Sequence, residues 1–216
     1  KISTKKWYPC NKGGEFQKWF GNEDYILNWK SDGYEIRNFK DETGALRSRP
    51  QNTQYFFKEG ITWSTVTMGK PSFRFSSAGR IFESGGSTLF SIEEDIYFLL
   101  GVLNSKLGEL AVGILSPKVS LGEGAVAKFP IPKFDDEIKK SISKIAYTLV
   151  EDFKNMEFFN ESSFHFKGLD LLNSSEIFIS DYSIRFQNFF NMKIEDIYEK
   201  ERTIDDLISK QPLQNE

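Results

Sequence analysis

The sequence predicts an α+β fold in which strands and loops occupy the first third of the chain and helices occupy most of the rest. Residues 1–80 show little helical periodicity and contain turn signals, such as the glycine pair at residues 13–14 and Ser-Asp-Gly at residues 31–33. From residue 92 onward, apolar residues recur at steps of three and four, as they do on the buried face of a helix. We therefore expect a strand-and-loop-rich domain packed on a central helix, followed by a helical C-terminal tail.

The first predicted elements are short strands, because aromatic and β-branched residues alternate there with turn residues. The candidate strands are residues 55–57, 61–66, 73–75 and 80–83. The central helix is predicted over residues 92–115, and Ser91 and Glu94 at its start have the spacing of a capping box. One stripe of this helix is expected to be buried: Ile96, Leu99, Leu100, Leu103, Leu107 and Leu110.

The second half of the chain is predicted to be mostly helical. Residues 119–129 are expected to form a loop or a short strand, and the prolines at positions 130 and 132 mark a boundary. Apolar residues at helical spacing predict helices over residues 135–153 and 180–209, with a linker or an ordered crossover over residues 160–175. We therefore divide the chain into two parts, residues 1–133 and residues 134–216.

Length and composition indicate a folded protein in a reducing compartment. The chain has 216 residues, of which 39% are hydrophobic, so it is long enough to bury a core without disulfides. Because Cys10 is the only cysteine and no apolar leader opens the sequence, we expect a cytoplasmic protein. The longest apolar stretch, residues 96–115, is too polar to span a membrane. Since the first residue is Lys1 rather than methionine, we expect a fragment of a longer protein.

Charge is distributed unevenly along the chain. The net charge is −3, yet residues 1–80 contain 14 Lys and Arg against 8 Asp and Glu, a net charge of +6. Residues 81–133 carry −2 and residues 134–216 carry −7, and all four tryptophans lie in the basic part. Two interpretations fit this gradient: one end binds phosphate, or the basic end packs on an acidic partner.

No pattern in the sequence predicts catalysis. Gly-x-Gly-x-x-Ala at residues 122–127 resembles a cofactor loop, but Pro130 would end any helix after it, so we expect a plain loop. His165 and Cys10 are single residues of their types, which argues against a zinc site or a catalytic pair. The Glu-x-Lys and Asp-x-Lys triplets at residues 137–139 and 152–154 are typical of solvated helix faces. We expect no catalytic residue, no cofactor site and no metal site in this chain.

The side chains suited to nucleic acid lie in the basic part. Arginine pairs with guanine, and Asn and Gln pair with adenine, so residues 47–52 could contact bases. Other cations could contact phosphates, although a single arginine is more often a surface salt-bridge partner. The predicted DNA-binding residues are Lys12, Arg37, Arg47, Arg49, Gln51, Asn52, Lys58, Lys70 and Arg74; Lys18 and Arg80 are further phosphate candidates.

The order of motifs resembles the C-terminal part of PglX-type adenine-specific DNA methyltransferases of BREX phage-defence systems, which are similar to Type IIG enzymes. The matching motifs are residues 11–16, 19–22, 32–39, 49–53 and 59–64. Further motifs resemble the TaqI-like C-terminal specificity domains, a pattern shared with Type I specificity subunits: residues 73–75, 79–82, 99–106 and 129–132.

The resemblance implies a division of labour between this chain and a catalytic domain upstream. Residues 1–133 would be the DNA target-recognition domain and residues 134–216 a helical spacer or docking region. Double-stranded DNA would be bound here, while the upstream methyltransferase domain would use S-adenosylmethionine. Other phage-defence subunits are possible partners, and an interaction module without DNA contact is the alternative.

The resemblance also bears on which residues read bases. Base-reading residues of such domains vary with the target, so the motif at residues 49–53 marks the domain rather than a base contact. We therefore predict that Arg47 and Arg49 serve phosphates or architecture. Base choice would lie nearby, around Lys12, Arg37 and residues 68–74.

Overall fold

The computed structural model describes residues 5–67, 69–117, 120–161, 163, 165–167 and 178–210, and it confirms the predicted α+β fold. Six strands form two small sheets: β1 (Trp7–Asn11), β2 (Ile26–Asn28), β3 (Gly60–Trp63), β4 (Phe73–Ser76), β5 (Ile81–Phe82) and β6 (Thr88–Leu89). The helices are α1 (Lys30–Arg37), α2 (Ile96–Asn104), α3 (Lys106–Leu115), α4 (Glu123–Val126), α5 (Asp136–Glu157) and α6 (Ile179–Ser209). Two 3₁₀ turns occur at Thr53–Tyr55 and Ser84–Gly86.

The N-terminal sheet has the strand order β2-β1-β5. Strand β1 pairs antiparallel with β2 and parallel with β5, so it is the middle strand. This sheet covers a small core that consists of Cys10, Trp29, Phe56 and Ile81. Strands β1 and β2 were not predicted from the sequence. Their residues are short runs broken by Pro9 and by polar positions, which give little alternation to detect.

The central sheet has the strand order β4-β3-β6, and all of its pairs are antiparallel. Every residue of β3 and β4 is buried, because this sheet packs on α2 in the large core of the protein. Both strands were predicted, whereas β6 was not. The strand predicted at residues 55–57 is absent; that segment contains the end of a 3₁₀ turn instead.

The predicted central helix is two helices that meet at Ser105 with a bend of 75°. The Ser105 hydroxyl accepts a hydrogen bond from the Gly108 amide at 3.1 Å and so caps α3. A side chain on Gly108 would overlap the carbonyl oxygens of Val102 and Leu103, so the bend requires glycine there. The prediction of one continuous helix was therefore wrong, because a polar cap interrupts an otherwise apolar stretch.

Two details of the predicted helix change with this bend. The helix begins at Ile96, where the Asp95 carboxylate accepts hydrogen bonds from two backbone amides, and Ser91 belongs to a turn before it. Leu99, Leu100 and Leu103 are buried as predicted, but Leu110 is exposed, because α3 points in a new direction after the bend.

The predicted helices of the second half are confirmed as α5 and α6, and both pack into the large core. Ile142, Ala146 and Leu149 of α5 are fully buried, and Gly101 of α2 gives the Ile142 side chain room to approach. Ile197, Ile204 and Ile208 attach the C-terminal half of α6 to the same core. The predicted division at residue 133 thus has no matching break in the packing, and as a domain boundary it stays a prediction.

Two further expectations concern the connecting segments. Residues 119–129 were expected to be a loop or a short strand, and they contain the single-turn helix α4. Most of the predicted linker at residues 160–175 lies outside the described residues. Among the residues that the structure describes, no single helix is long and apolar enough to cross a membrane, and the one pair that would pass together, α2 and α3, is sharply bent.

Candidate nucleic-acid interface

Arg74 lies in the interior of the protein, contrary to its prediction as a DNA contact. It is 1% exposed, and its guanidinium donates hydrogen bonds to the Gln17 carbonyl and the Ser64 hydroxyl, both at 3.2 Å. Burial lowers the pKa of Arg74 to about 10, so the side chain remains charged at neutral pH. A buried guanidinium cannot reach a phosphate or a base, and the structure therefore corrects this assignment.

Arg80 is also interior. It forms an ion pair with Glu23, and both side chains are less than a tenth exposed. The other oxygen of the Glu23 carboxylate lies 2.5 Å from His165 Nε2, so the pair joins three segments of the chain. Arg80 is therefore a structural residue and not a phosphate contact in this fold.

The buried Arg74 holds the glycine loop that follows β1. The Ser64 hydroxyl, which Arg74 contacts, accepts a hydrogen bond from the Gly14 amide at 3.0 Å and donates one to the Gly14 carbonyl at 2.9 Å. Gly13 has a φ of +86°, a conformation that favours glycine. The loop is thereby fixed against β3, and the exposed Lys12 stands at its start.

Several exposed cations of the basic part already have acidic partners. Arg47 pairs with Asp41 at 2.8 Å, and Arg37 pairs with Asp32 at 3.2 Å. Hydrogen bonds from Thr43, the backbone of residues 43–45 and Arg47 lower the pKa of the Asp41 carboxyl, so that this partner stays ionised. Lys70 pairs with Glu109 of α3 at 2.9 Å. The +6 net charge of the segment therefore overstates the number of cations that are free to meet phosphate.

The remaining predicted cations have no carboxylate partner in the described part of the chain: Lys12, Arg49 and Lys58. The Lys12 ammonium lies over the Tyr25 ring at 4.7 Å from its centre, and the Lys58 ammonium lies over the Tyr55 ring at 5.0 Å. An aromatic face attracts a cation without neutralising its charge, so both lysines keep their capacity for phosphate. All three side chains are exposed.

Arg49, Gln51 and Asn52 belong to an irregular segment, residues 48–52, which we call the strap. Asn52 adopts a left-handed conformation with a φ of 54°, and its carbonyl accepts a hydrogen bond from the Tyr55 amide at 2.9 Å. This geometry turns the chain sharply into the 3₁₀ turn that follows. Asn tolerates the left-handed region better than most residues, which explains why the sequence has it here.

The strap borders a cavity of about 630 Å³ that lies between the N-terminal sheet and the segment 83–90. Trp29, Phe56 and Ile81 of the small core contribute apolar lining. Tyr55 and Phe90 also line it, and their rings are stacked at 5.2 Å between centres. Nine of its 18 lining residues are polar or charged, so the cavity combines the size of a ligand site with many hydrogen-bonding groups.

The cavity brings three of the nine predicted residues together and has others nearby. Arg49, Gln51 and Asn52 line it directly, and Lys58 stands over its Tyr55. The backbone of Lys12 packs on Gly85 and Gly86, which lie between two lining residues, Ser84 and Ser87. Lys70 is not part of this group, since it contacts α3, and Met68 of the predicted loop lies outside the described residues.

Two carboxylates of the cavity were not predicted from the sequence. Glu83 and Glu123 both line it, and Glu123 accepts a hydrogen bond from the Ser87 hydroxyl at 2.5 Å. This hydrogen bond lowers the pKa of the Glu123 carboxyl, which is therefore ionised at neutral pH. No local pattern distinguishes these residues from ordinary surface glutamates, because only the fold brings them to the strap.

Comparison with known proteins gives two curated relatives, and no family model matches the chain. The adenine-specific methyltransferase PglX of Lacticaseibacillus casei (strain Zhang) is 39% identical over 131 residues, which cover 60% of this chain and 11% of that protein. The adenine-specific methyltransferase BrxX of Escherichia coli O9:H4 (strain HS) is 37% identical over 145 residues, which cover 64% of this chain and 12% of that protein. The chain therefore matches about a tenth of the length of these relatives.

These relatives confirm the resemblance to a region of PglX-type adenine-specific methyltransferases. The resemblance to TaqI-like specificity domains is a finer statement, and it stays a prediction. The assignment of DNA contacts to individual residues likewise stays a prediction for all those residues that the structure leaves exposed.

Proposed function

We propose that this chain is the double-stranded DNA recognition module of an adenine-specific DNA methyltransferase that acts in phage defence of the BREX type. One observation carries the proposal: Arg49, which is exposed and has no carboxylate partner in the described part of the chain, lines a cavity together with Gln51 and Asn52, and the exposed Lys58 lies over the Tyr55 ring of the same cavity. Phosphate contacts would supply affinity, and the Gln51 and Asn52 carboxamides are suited to adenine edges, which assigns base contacts to the motif at residues 49–53 that the resemblance alone treats as a domain marker. The similarity to PglX and BrxX supports the methyltransferase context.

In this proposal the chemistry belongs to a methyltransferase domain upstream in the same polypeptide. That domain would bind S-adenosylmethionine and transfer the methyl group to an adenine in the cytoplasm, while this chain selects the DNA sequence. Isolated chain mixed with DNA and radiolabelled S-adenosylmethionine is expected to give no methylated DNA. Methyl transfer by the chain alone would contradict this division.

The acidic second half is proposed to face away from the DNA. Residues 134–216 carry a net charge of −7, which a phosphate backbone repels. Helix α6 is fixed to the basic part by Trp19, whose indole nitrogen donates a hydrogen bond to Glu201 at 2.7 Å. The orientation of the acidic half is thus coupled to that of the basic half, as a spacer or docking region would require.

The primary test is the salt dependence of duplex binding, measured by fluorescence anisotropy over a series of salt concentrations. Log affinity should fall linearly with log salt, and each phosphate contact contributes about 0.9 to the slope. Lys12→Ala, Arg49→Ala and Lys58→Ala are each expected to reduce the slope by about this amount. In the triple variant, the slope of log affinity against log salt should be smaller by about 2 to 3.

The matched control is Lys144→Ala, which removes one exposed lysine on α5 that has no ion pair among the described residues. This control should leave the slope unchanged. Arg47→Ala and Lys70→Ala should reduce the slope less than Arg49→Ala, because their charges are already paired. Equal slopes for Lys12→Ala and Lys144→Ala, or no salt dependence at all, would refute the DNA role of this surface.

The alternative is a protein-interaction module that docks other defence subunits without touching DNA. The favouring observation is the first half of α6, where Ile184, Phe189 and Met192 are large and exposed. Affinity purification from nuclease-treated extract separates the two functions. Retention of a partner subunit combined with no affinity for duplex DNA would favour this alternative.

A further inference from the structure

We propose that the cavity beside the strap binds one unstacked nucleotide whose base carries an exocyclic amino group. This inference rests on the proposed DNA-binding function and makes it more specific, because it assigns a discrete nucleotide site outside any catalytic domain. The groups that would hold the nucleotide are Arg49, Gln51, Asn52, Tyr55, Phe90 and Glu123.

The cavity has the size and the aromatic lining that a nucleotide site needs. Its volume of about 630 Å³ lies within the range of small-molecule sites and exceeds that of a single base. The Tyr55 and Phe90 rings are stacked at 5.2 Å between centres with an angle of 20° between their planes, so they form a parallel aromatic pair in the cavity wall. Bases stack on such aromatic platforms when they leave the double helix.

The same cavity offers hydrogen-bonding groups that can pair with the edge of a base. Gln51 and Asn52 on the strap offer carboxamides, each with both donors and an acceptor, and this is the combination that pairs with an adenine edge. Glu123 offers an ionised carboxylate that can only accept hydrogen bonds. Adenine, cytosine and guanine present an amino group to such a carboxylate, whereas thymine presents none.

The charged groups at the cavity also match those of a nucleotide. Arg49 lines the cavity without a carboxylate partner in the described part of the chain, and Lys58 stands over Tyr55. A nucleotide is complementary to this arrangement, since its phosphate is an anion and the amino group of its base is a hydrogen-bond donor. Arg49 would bind the phosphate while Glu123 binds the amino group; the second carboxylate of the lining, Glu83, accepts a hydrogen bond from the Gly85 amide at 3.2 Å. A simple anion site would not place a carboxylate in the lining, and a simple apolar site would not place a guanidinium there.

The test is titration of the full chain with deoxynucleoside monophosphates, followed by isothermal calorimetry and by NMR of the isotope-labelled protein. We expect dAMP to bind saturably, and we expect deoxyadenosine, deoxyribose 5-phosphate and dTMP each to bind about tenfold more weakly. Arg49→Ala should remove the preference for dAMP over deoxyadenosine, and Glu123→Gln should reduce the preference for dAMP over dTMP. Tyr55→Leu should weaken dAMP binding about tenfold because it breaks the Tyr55–Phe90 aromatic pair in the cavity wall.

Tyr147→Leu is the matched control, since Tyr147 is an exposed tyrosine on α5, away from the cavity lining. It should bind dAMP as the unmodified chain does, and NMR spectra of every variant would verify its fold. No saturable dAMP binding up to about 10 mM, or equal affinity for dAMP and deoxyribose 5-phosphate, would overturn the inference.

A second arm distinguishes a nucleotide of DNA from a free nucleotide. A duplex with 2-aminopurine at a single position should become more fluorescent on binding if that base leaves the stack, and Tyr55→Leu should abolish the increase. If dAMP binds but the duplex signal is unchanged at every position, the site takes a free nucleotide. If dAMP does not bind while duplex binding keeps its salt dependence, the cavity inference fails and the proposed function stands.

Discussion

At the scale of single residues, the structure separates two kinds of arginine that the sequence presents alike. Arg49 and Arg74 both lie in the basic, aromatic part of the chain, and both were predicted to bind DNA. Arg49 is exposed and has no ion pair among the described residues, whereas Arg74 is buried among backbone and hydroxyl oxygens. The net charge of a segment is therefore a poor guide to its surface potential until the partners of each cation are known.

Arg74→Ala is expected to destabilise the protein by about 2–4 kcal/mol, because it removes hydrogen bonds from a charged donor and leaves a cavity. The loss would also release the glycine loop that positions Lys12. Urea denaturation followed by circular dichroism measures the effect. Arg49→Ala is the control and should change stability by less than about 0.5 kcal/mol. Similar destabilisation by the two substitutions would contradict the assignment of Arg74 to the interior framework.

At the scale of elements, the bend between α2 and α3 has a local cause and lies beside a contact with the central sheet. The Ser105 hydroxyl and the close packing at Gly108 set the bend. Asn104, just before it, accepts a hydrogen bond from the Phe73 amide at 3.0 Å and donates one to the Phe73 carbonyl at 2.9 Å. Asn104 is thus the last residue of α2, and its side chain hydrogen-bonds to the backbone of β4. The end of the helix is therefore held directly against the sheet.

Gly108→Ala and Gly113→Ala form a matched pair on α3. A side chain at Gly108 would overlap two carbonyl oxygens, so we expect a loss of about 1–3 kcal/mol. Gly113 has no atom near its added Cβ, so alanine there should stabilise the helix by about 0.5–1 kcal/mol. Thermal and urea denaturation of the two variants would test this contrast. Equal effects would mean that the bend does not require glycine.

At the scale of the whole molecule, the acidic helices are part of the large core and not a separate appendage. Buried residues of α5 and α6 belong to the same cluster as Trp19, Trp63 and the residues of α2. A buried ionic clamp joins the two helices, since Asp152 accepts hydrogen bonds from Lys193 at 2.9 Å and from Lys200 at 2.5 Å. Lys200 also pairs with Asp196. Loss of these helices should therefore unfold the strand-and-loop part of the chain as well.

The clamp predicts a pH dependence of stability. Burial raises the pKa of Asp152, but the hydrogen bonds from Lys200 and Lys193 outweigh burial and lower the pKa below the usual 3.8. A lowered folded-state pKa gives stability that is present above pH 4 or so and is lost as pH falls through the folded value. Asp152→Asn is thus expected to cost about 1–3 kcal/mol at pH 7 and progressively less below about pH 4.

Denaturation of both proteins between about pH 2 and pH 7 would measure this difference. At alkaline pH the dependence of stability on pH has the opposite sign. Burial lowers the pKa of Lys200, but hydrogen bonds with Asp152 and Asp196 outweigh burial and raise this pKa above 10.5. Its contribution is present below pH 10.5 and is lost as pH rises through the folded value. A stability difference that stays constant from acidic to neutral pH would contradict the clamp.

The accuracy of the sequence analysis followed the range of the interactions involved. Helices α5 and α6 were predicted almost to their ends, because a repeat of apolar residues along one helix face is a local signal. The helix start at Ser91 was wrong: the Ser91 hydroxyl accepts a hydrogen bond from the Glu94 amide at 3.1 Å, but the Asp95 carboxylate caps α2, which begins at Ile96. The strap was recognised by its side chains, but its carboxylate neighbours Glu83 and Glu123 were not, since they are distant in the sequence.

The sequence by itself determined the α+β class, the two long helices and the relation to PglX-type adenine-specific methyltransferases, because these depend on local periodicity and on the order of motifs. Only the tertiary structure decided which cations face solvent, where the apolar helix breaks and which groups meet at the cavity. The physical reason is that burial and pairing depend on residues far apart in the chain. The guanidinium of Arg74, for example, donates a hydrogen bond to the carbonyl of Gln17, which is 57 positions away in the sequence.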